Sequence, residues 1–160
     1  ENWPPTYLLV YGDAVIEDQD LVFRAEAAPG EAAPAPRPAP GDAVWKRIIE
    51  PDPVMLFRFS ALTFNGHRIH YDRDYVTKVE GYPGLVVHGP LIATMLLDLC
   101  RRENPDTPVA TFDYRAVRPV FDLAPFTLEG EPDAANGSAK VWALDADGAL
   151  ATTATVTFAT

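Results

Sequence analysis

The sequence predicts an α+β fold, an antiparallel sheet wrapped around one long central helix at about residues 89–103. Three observations carry this. The segment GPLIATMLLDLCRRE (89–103) is apolar around most of a helical circumference. β-prone runs follow it one after another to the end of the chain. Strand-like segments also precede it, and without lipid a helix this apolar must be covered by sheet.

Taken in order, residues 6–25 read as two strands, TYLLVY and AVIEDQDLVFRA, joined at Gly12-Asp13. Residues 27–41 hold five prolines and no large apolar side chain, which makes them a linker. AVWKRIIE and VMLFRFSALT read as strand-like segments parted by Pro51 and Pro53. A short helix is expected at about 70–79, before the turn residues GYPG. The central helix then opens with Gly89-Pro90, carries Arg101 and Arg102 in its last turn, and stops at Asn104-Pro105. Leu91, Ile92, Ala93, Met95, Leu96, Leu97, Leu99 and Cys100 leave a polar stripe of Thr94, Asp98 and Arg101. PVATFDYRAV, VFDLAPFTLEGE and SAKVWALDA follow as strands, and Asp147-Gly148 turns into ALATTATVTFA. This is the hot-dog arrangement.

The chain has 160 residues and a net charge of −10, but the acids are unevenly spread. Residues 1–31 carry seven acids and one base, and 119–160 carry six acids and Lys140 alone. Between 46 and 118 there are ten bases and nine acids, with all three histidines at 67–88. The balance argues against a nucleic-acid surface and directs any anionic ligand to the middle. No apolar run approaches the roughly 20 residues of a membrane span, and ENWPP has no leader-like character. A single cysteine fits a reducing compartment, the cytoplasm or a mitochondrial matrix.

Chemistry is concentrated in FNGHRIHYD (64–72), which holds Asn65, His67, Arg68, His70, Tyr71 and Asp72. So dense a polar run beside an apolar element is a solvated turn or a site. VVHGPL (86–91) adds a second feature, because His88-Gly89 opens the central helix. Unpaired N–H groups at that end favour negative charge, and Gly89 allows an oxygen to approach the main chain. Together they suggest a histidine acid or base beside an oxyanion-binding helix end, suited to enolate chemistry. Taken alone, His88 would more readily be a helix cap and Gly89 a turn residue. His67, His70, Asp72 and His88 are metal-ligand types, but they lack a supporting motif and no metal is expected. Cys100 reads as packing, and Ser60 and Ser138 lack a nucleophile-elbow context. No phosphate loop or dinucleotide fingerprint is present.

FSALTFNGHRIHYDRDYVTKVEGYPGLVVHGPLIATMLLDL (59–99) closely resembles the MaoC-like hot-dog hydratases and dehydratases. The nearest subgroup is that of mesaconyl-C4-CoA (3-methylfumaryl-CoA) and itaconyl-CoA hydratases and the mitochondrial type-2 hydroxyacyl-thioester dehydratases. The likeness continues through FDYRAVRPVFDLAPFTLEG (112–130). It implies a hydro-lyase that reversibly adds water across the double bond of an enoyl-CoA, most fittingly a branched C5-dicarboxylic acyl-CoA. The alternatives are a 3-hydroxyacyl-ACP dehydratase of fatty-acid synthesis and a non-catalytic acyl-binding half. CoA enters as part of the substrate, and no separate cofactor is implied.

In the family motif Asp-x-Asn-Pro-x-His, the histidine falls on His70, the asparagine on His67 and the leading aspartate on Asn65. An amide cannot serve as a carboxylate base. The resemblance therefore implies His70 as general acid/base, Asn65 orienting water or thioester, and Gly89 N–H holding the thioester oxygen. Asp72 is the nearest carboxylate to support the imidazole. His67, Arg68, Tyr71 and His88 are expected around the substrate, with Arg118 favoured for the phosphates and Arg68 or Arg73 as alternatives. VIEDQDLVFR (15–24) resembles the end of the first half of two-domain members. Residues 1–26 then read as the last strands of a preceding half and 42–160 as the hydratase half. A homodimer, or pairing with an upstream half, is expected.

Overall fold

The computed structural model describes residues 6–12, 14–20 and 35–159. The chain divides into two compact units, Glu1–Ala35 and Pro36–Thr160. In the first, β1 (Thr6–Tyr11) and β2 (Val15–Asp20) form an antiparallel pair whose register runs from Thr6 opposite Asp20 to Tyr11 opposite Val15. Gly12 supplies the left-handed residue of the turn, at φ 60°. The expected strand end at 21–25 and much of the linker lie outside the described residues.

The second unit is an antiparallel sheet of β3 (Trp45–Ile49), β4 (Val109–Ala116), β5 (Phe126–Asp133), β6 (Ser138–Leu144) and β7 (Leu150–Phe158), in the spatial order β3-β5-β6-β7-β4. The long helix α3 (Gly89–Glu103) packs against all five strands. Its Leu96, Leu99 and Cys100 are buried against Leu128, Val141, Ala151 and Val156. Each buried leucine contributes about 1.5–3 kcal/mol. Gly130 is required by packing, since a Cβ there would stand 2.6 Å from Cε3 of Trp45. The α+β hot-dog architecture expected from the pattern is what the chain adopts. No described helix is long and apolar enough to cross a membrane.

Three elements differ from the sequence reading. VMLFRFSALT is not a strand but most of helix α1 (Pro53–Thr63). Asp52 caps it, its Oδ1 accepting from Val54 N at 2.7 Å and Met55 N at 3.0 Å, and Pro53 opens the first turn. Leu56 and Ser60, four residues apart, face the core. An apolar run of this length satisfies either period, and the Asp-Pro start was the deciding signal. The helix expected at 70–79 is a 3-10 turn, Arg68–His70, followed by α2 (Arg73–Lys78). The strand expected from 120 begins at Phe126, and Phe121 makes only an isolated bridge to Val86.

Candidate active site

The site is assembled where α1 stops and α3 starts. Phe64 ends α1 in the left-handed region at φ 53°, and Asn65 N donates to Ser60 O at 2.9 Å. The Asn65 side chain then accepts from His67 N at 3.0 Å, which sharpens the turn into the 3-10 segment. The segment before α3 is pinned from both sides. Val86 N donates to Ile69 O at 3.0 Å, Val87 N to Val120 O at 2.8 Å, and Leu85 N to Asp122 Oδ1 at 2.9 Å. The buried Asp122 carboxylate also pairs with Arg73. These ties bring two histidines, 18 positions apart in sequence, face to face. The His70 and His88 rings stack at 3.7 Å between centroids, 16° from parallel.

His70 is 8% exposed, and its Nδ1 lies 2.7 Å from Val86 O. A carbonyl only accepts, so Nδ1 carries the proton and Nε2 keeps the lone pair of a base. Burial pushes the His70 pKa below the ordinary imidazole value; the Val86 bond opposes this and His67 adds to it. His67 meets His70 edge-on at 5.6 Å. His88 is fully buried, with Nε2 2.8 Å from Ser60 Oγ and the Phe59 ring packed edge-to-face with it at 4.8 Å between centroids. Burial, and secondarily His70, lowers its pKa to about 4. Although it occupies the N-cap position, it makes no side-chain cap, so the simple capping reading is corrected. Gly89 follows as the first helical residue, and a Cβ there would meet no atom within 4 Å. The space beside its main chain is open to a ligand.

The other expected site residues are placed differently. Asp72 does not reach His70: it caps α2 through Tyr75 N at 3.0 Å and holds Arg68 at 2.8 Å. As an N-cap beside a cation it has stronger partners, which hold its carboxyl below the usual range. Arg68 also lies over the Tyr75 ring, and Tyr71 donates to Gly66 O at 2.8 Å. Arg118, favoured for the phosphates, lies beyond the end of β4 and pairs with Asp145 at 3.3 Å. Arg73 is committed to Asp122. Half-buried Asn65 lines a groove of about 260 Å³ with Phe57, Ser60, Phe64 and Tyr71. Ser60, which lacks a nucleophile-elbow context, is not legible as a site residue while α1 reads as a strand. Helical spacing from Leu56 would have turned it inward.

An antiparallel sheet around a buried helix, with a stacked histidine pair at the helix start, defines the class of hot-dog proteins with a polar site at the helix entrance. Within that class the chain belongs to the hydroxyacyl-thioester dehydratase type 2 family, whose model matches residues 11–122. It is 50% identical over 142 residues to mesaconyl-C(4)-CoA hydratase of Chloroflexus aurantiacus, covering 88% of this chain and 49% of that protein. It is 40% identical over 83 residues to the mitochondrial hydroxyacyl-thioester dehydratase type 2 of Schizosaccharomyces pombe, covering 51% of this chain and 28% of that one. The chain thus spans half or less of the length of these relatives. In fold it is similar to the (R)-hydratase from A. caviae involved in PHA biosynthesis. The TM-score is 0.60 at 20% identity, covering 73% of this chain and 95% of that structure.

Proposed function

We propose that this chain forms the hydratase half of an enoyl-thioester hydro-lyase. The observation that carries this reading is His70 Nε2, without a hydrogen-bond partner among the described residues while Nδ1 holds the Val86 carbonyl, on a ring stacked against His88, the residue before the open main chain of Gly89. In the forward direction, His70 Nε2 takes a proton from water as the water oxygen bonds to Cβ of the enoyl group. The π electrons pass to the thioester oxygen, which accepts the Gly89 N–H as it gains enolate charge. The His70 imidazolium then gives the proton to Cα, and the enolate collapses to the 3-hydroxyacyl thioester. The same steps in reverse dehydrate a 3-hydroxyacyl thioester. Asn65, whose Oδ1 is engaged, has its amide N–H groups to orient water or thioester.

The 50% identity to a mesaconyl-C(4)-CoA hydratase supports a branched C5-dicarboxylic acyl-CoA as substrate. Arg68, Arg73 and Arg118 are all held in ion pairs. Arg58 has none among the described residues and lines the groove that runs past Leu91 near the start of α3. We assign it, rather than Arg118, to the substrate's anionic groups. CoA is needed only as part of the substrate. Residues 1–26 belong in this reading to a preceding hot-dog half, and the 42–160 half pairs with such a half or with a second copy. The exposed Phe57, Leu62 and Phe64 of the α1 end support pairing. The single cysteine and the 40% identity to a mitochondrial protein support a cytoplasmic or matrix location.

The test is incubation with mesaconyl-C4-CoA, itaconyl-CoA, crotonyl-CoA and an enoyl-ACP, following loss of enoyl absorbance beside His70→Ala. Turnover should fall by roughly 10²–10⁴-fold in the variant. No turnover on any substrate, or undiminished turnover in the variant, overturns the reading. Preference for the ACP-linked substrate would favour the fatty-acid dehydratase alternative.

A further inference from the structure

Ser60 is 5% exposed and His88 fully buried, yet the His88 Nδ1 has no hydrogen-bond partner among the described residues. A buried imidazole left half-satisfied is destabilising, so its placement calls for a compensating role. Its two contacts describe one. The Ser60 hydroxyl fixes the ring edge at Nε2, and the ring face lies flat on His70 at 3.7 Å. Phe59, one residue before Ser60 on α1, packs edge-to-face with His88. Helix α1 therefore clamps His88, and His88 supplies the plane on which His70 rests.

We propose that Ser60 and His88 are positioning residues for His70, holding its ring plane so that Nε2 faces the reacting atoms. This rests on the reading of His70 as the base. The proton of His88 sits on Nε2 and is donated to Ser60 Oγ, because an unpartnered buried acceptor at Nδ1 is tolerated better than an unpartnered donor. His70 has the opposite tautomer, protonated at Nδ1. His67 faces His70 edge-on, and no carboxylate among the described residues contacts either stacked ring. Removing the His88 ring admits water to His70 and raises its pKa toward the ordinary value.

The chain has three histidines, so imidazole ¹⁵N spectra carry three sets of signals and report tautomer and titration directly. The wild type should show His70 as the Nδ1–H form and His88 as the Nε2–H form. Ser60→Ala and His88→Gln should both move the His70 titration midpoint upward, and His88→Gln should move it further. In the enzyme assay, Ser60→Ala should lower kcat by about tenfold to a hundredfold with KM little changed, and the acidic limb should follow the His70 midpoint. An unmoved His70 midpoint in both folded variants overturns the proposal, as does His88 in the Nδ1–H form. The spectra need no substrate. A shifted midpoint without turnover on any thioester would therefore retain the clamp and reject the hydro-lyase reading.

Discussion

The two ends of α3 treat charge in opposite ways. At the start, His88 and His70 are buried, uncharged and pressed together, with one ring nitrogen unpartnered among the described residues. At the far end, Asp98 accepts from Arg47, Arg101 and Arg102 at 2.8, 3.0 and 2.6 Å. All three guanidinium groups there reach solvent. The helix dipole accounts for the polarity of this arrangement. Its positive end disfavours an imidazolium and favours an oxyanion, while its negative end favours arginine. The satisfied end fixes the helix, and the unsatisfied end keeps its donors for a ligand.

Substitution at the middle of the helix tests whether the ends depend on one shared anchor. Leu96→Ala, at a site with no exposure, should destabilise the fold by about 2–5 kcal/mol, read from urea midpoints. A change below about 1 kcal/mol would mean that each end is held locally.

Acid should separate the two ends. The His88 pKa is about 4 when folded and about 6.5 when unfolded, so the unfolded state binds more protons between these values. Stability should then fall as pH drops from about 6.5 to 4, by about 3 kcal/mol in full. The Asp98 carboxyl, held well below the usual range chiefly by Arg102 and Arg101, should lose its contribution only below that window. Urea midpoints from pH 7 to 4 check this, and His88→Gln should flatten the slope. An equally steep slope in that variant would place the acid sensitivity elsewhere.

Phe64 holds the turn into the histidine segment in a conformation that costs a non-glycine residue about 1 kcal/mol, while its side chain is 96% exposed. Phe64→Gly should raise stability by about that amount in thermal melts, and a loss would show that the ring contributes packing. The smallest effect belongs to the exposed end. Asp98→Asn should cost about 0.5–1 kcal/mol, a cost that diminishes with added salt, and leave the proposed enoyl-CoA hydration unchanged.

Much of this arrangement is legible in the chain before any fold is known. The bounds of α3 follow from Gly89-Pro90 and Asn104-Pro105, because backbone chemistry at helix ends is local. The strands after it follow from alternation and turn residues for the same reason. The α1 helix is not legible, since an apolar segment buried on one side satisfies two periods until packing selects one, and the inward face of Ser60 depends on it. Sequence proximity points Asp72 toward His70, whereas its oxygens are taken by Tyr75 N and Arg68.

The sequence by itself determined an enclosed helix, the sheet around it and the short stretch that holds all three histidines. Those depend on propensity, periodicity and capping, which act over a few residues. The tertiary structure alone decided that His70 lies on His88, that Val86 sets the His70 tautomer, and that Ser60 reaches His88 from another helix. These contacts join segments 16 to 28 residues apart. No local rule specifies such separations, because they are fixed only when the core closes around α3.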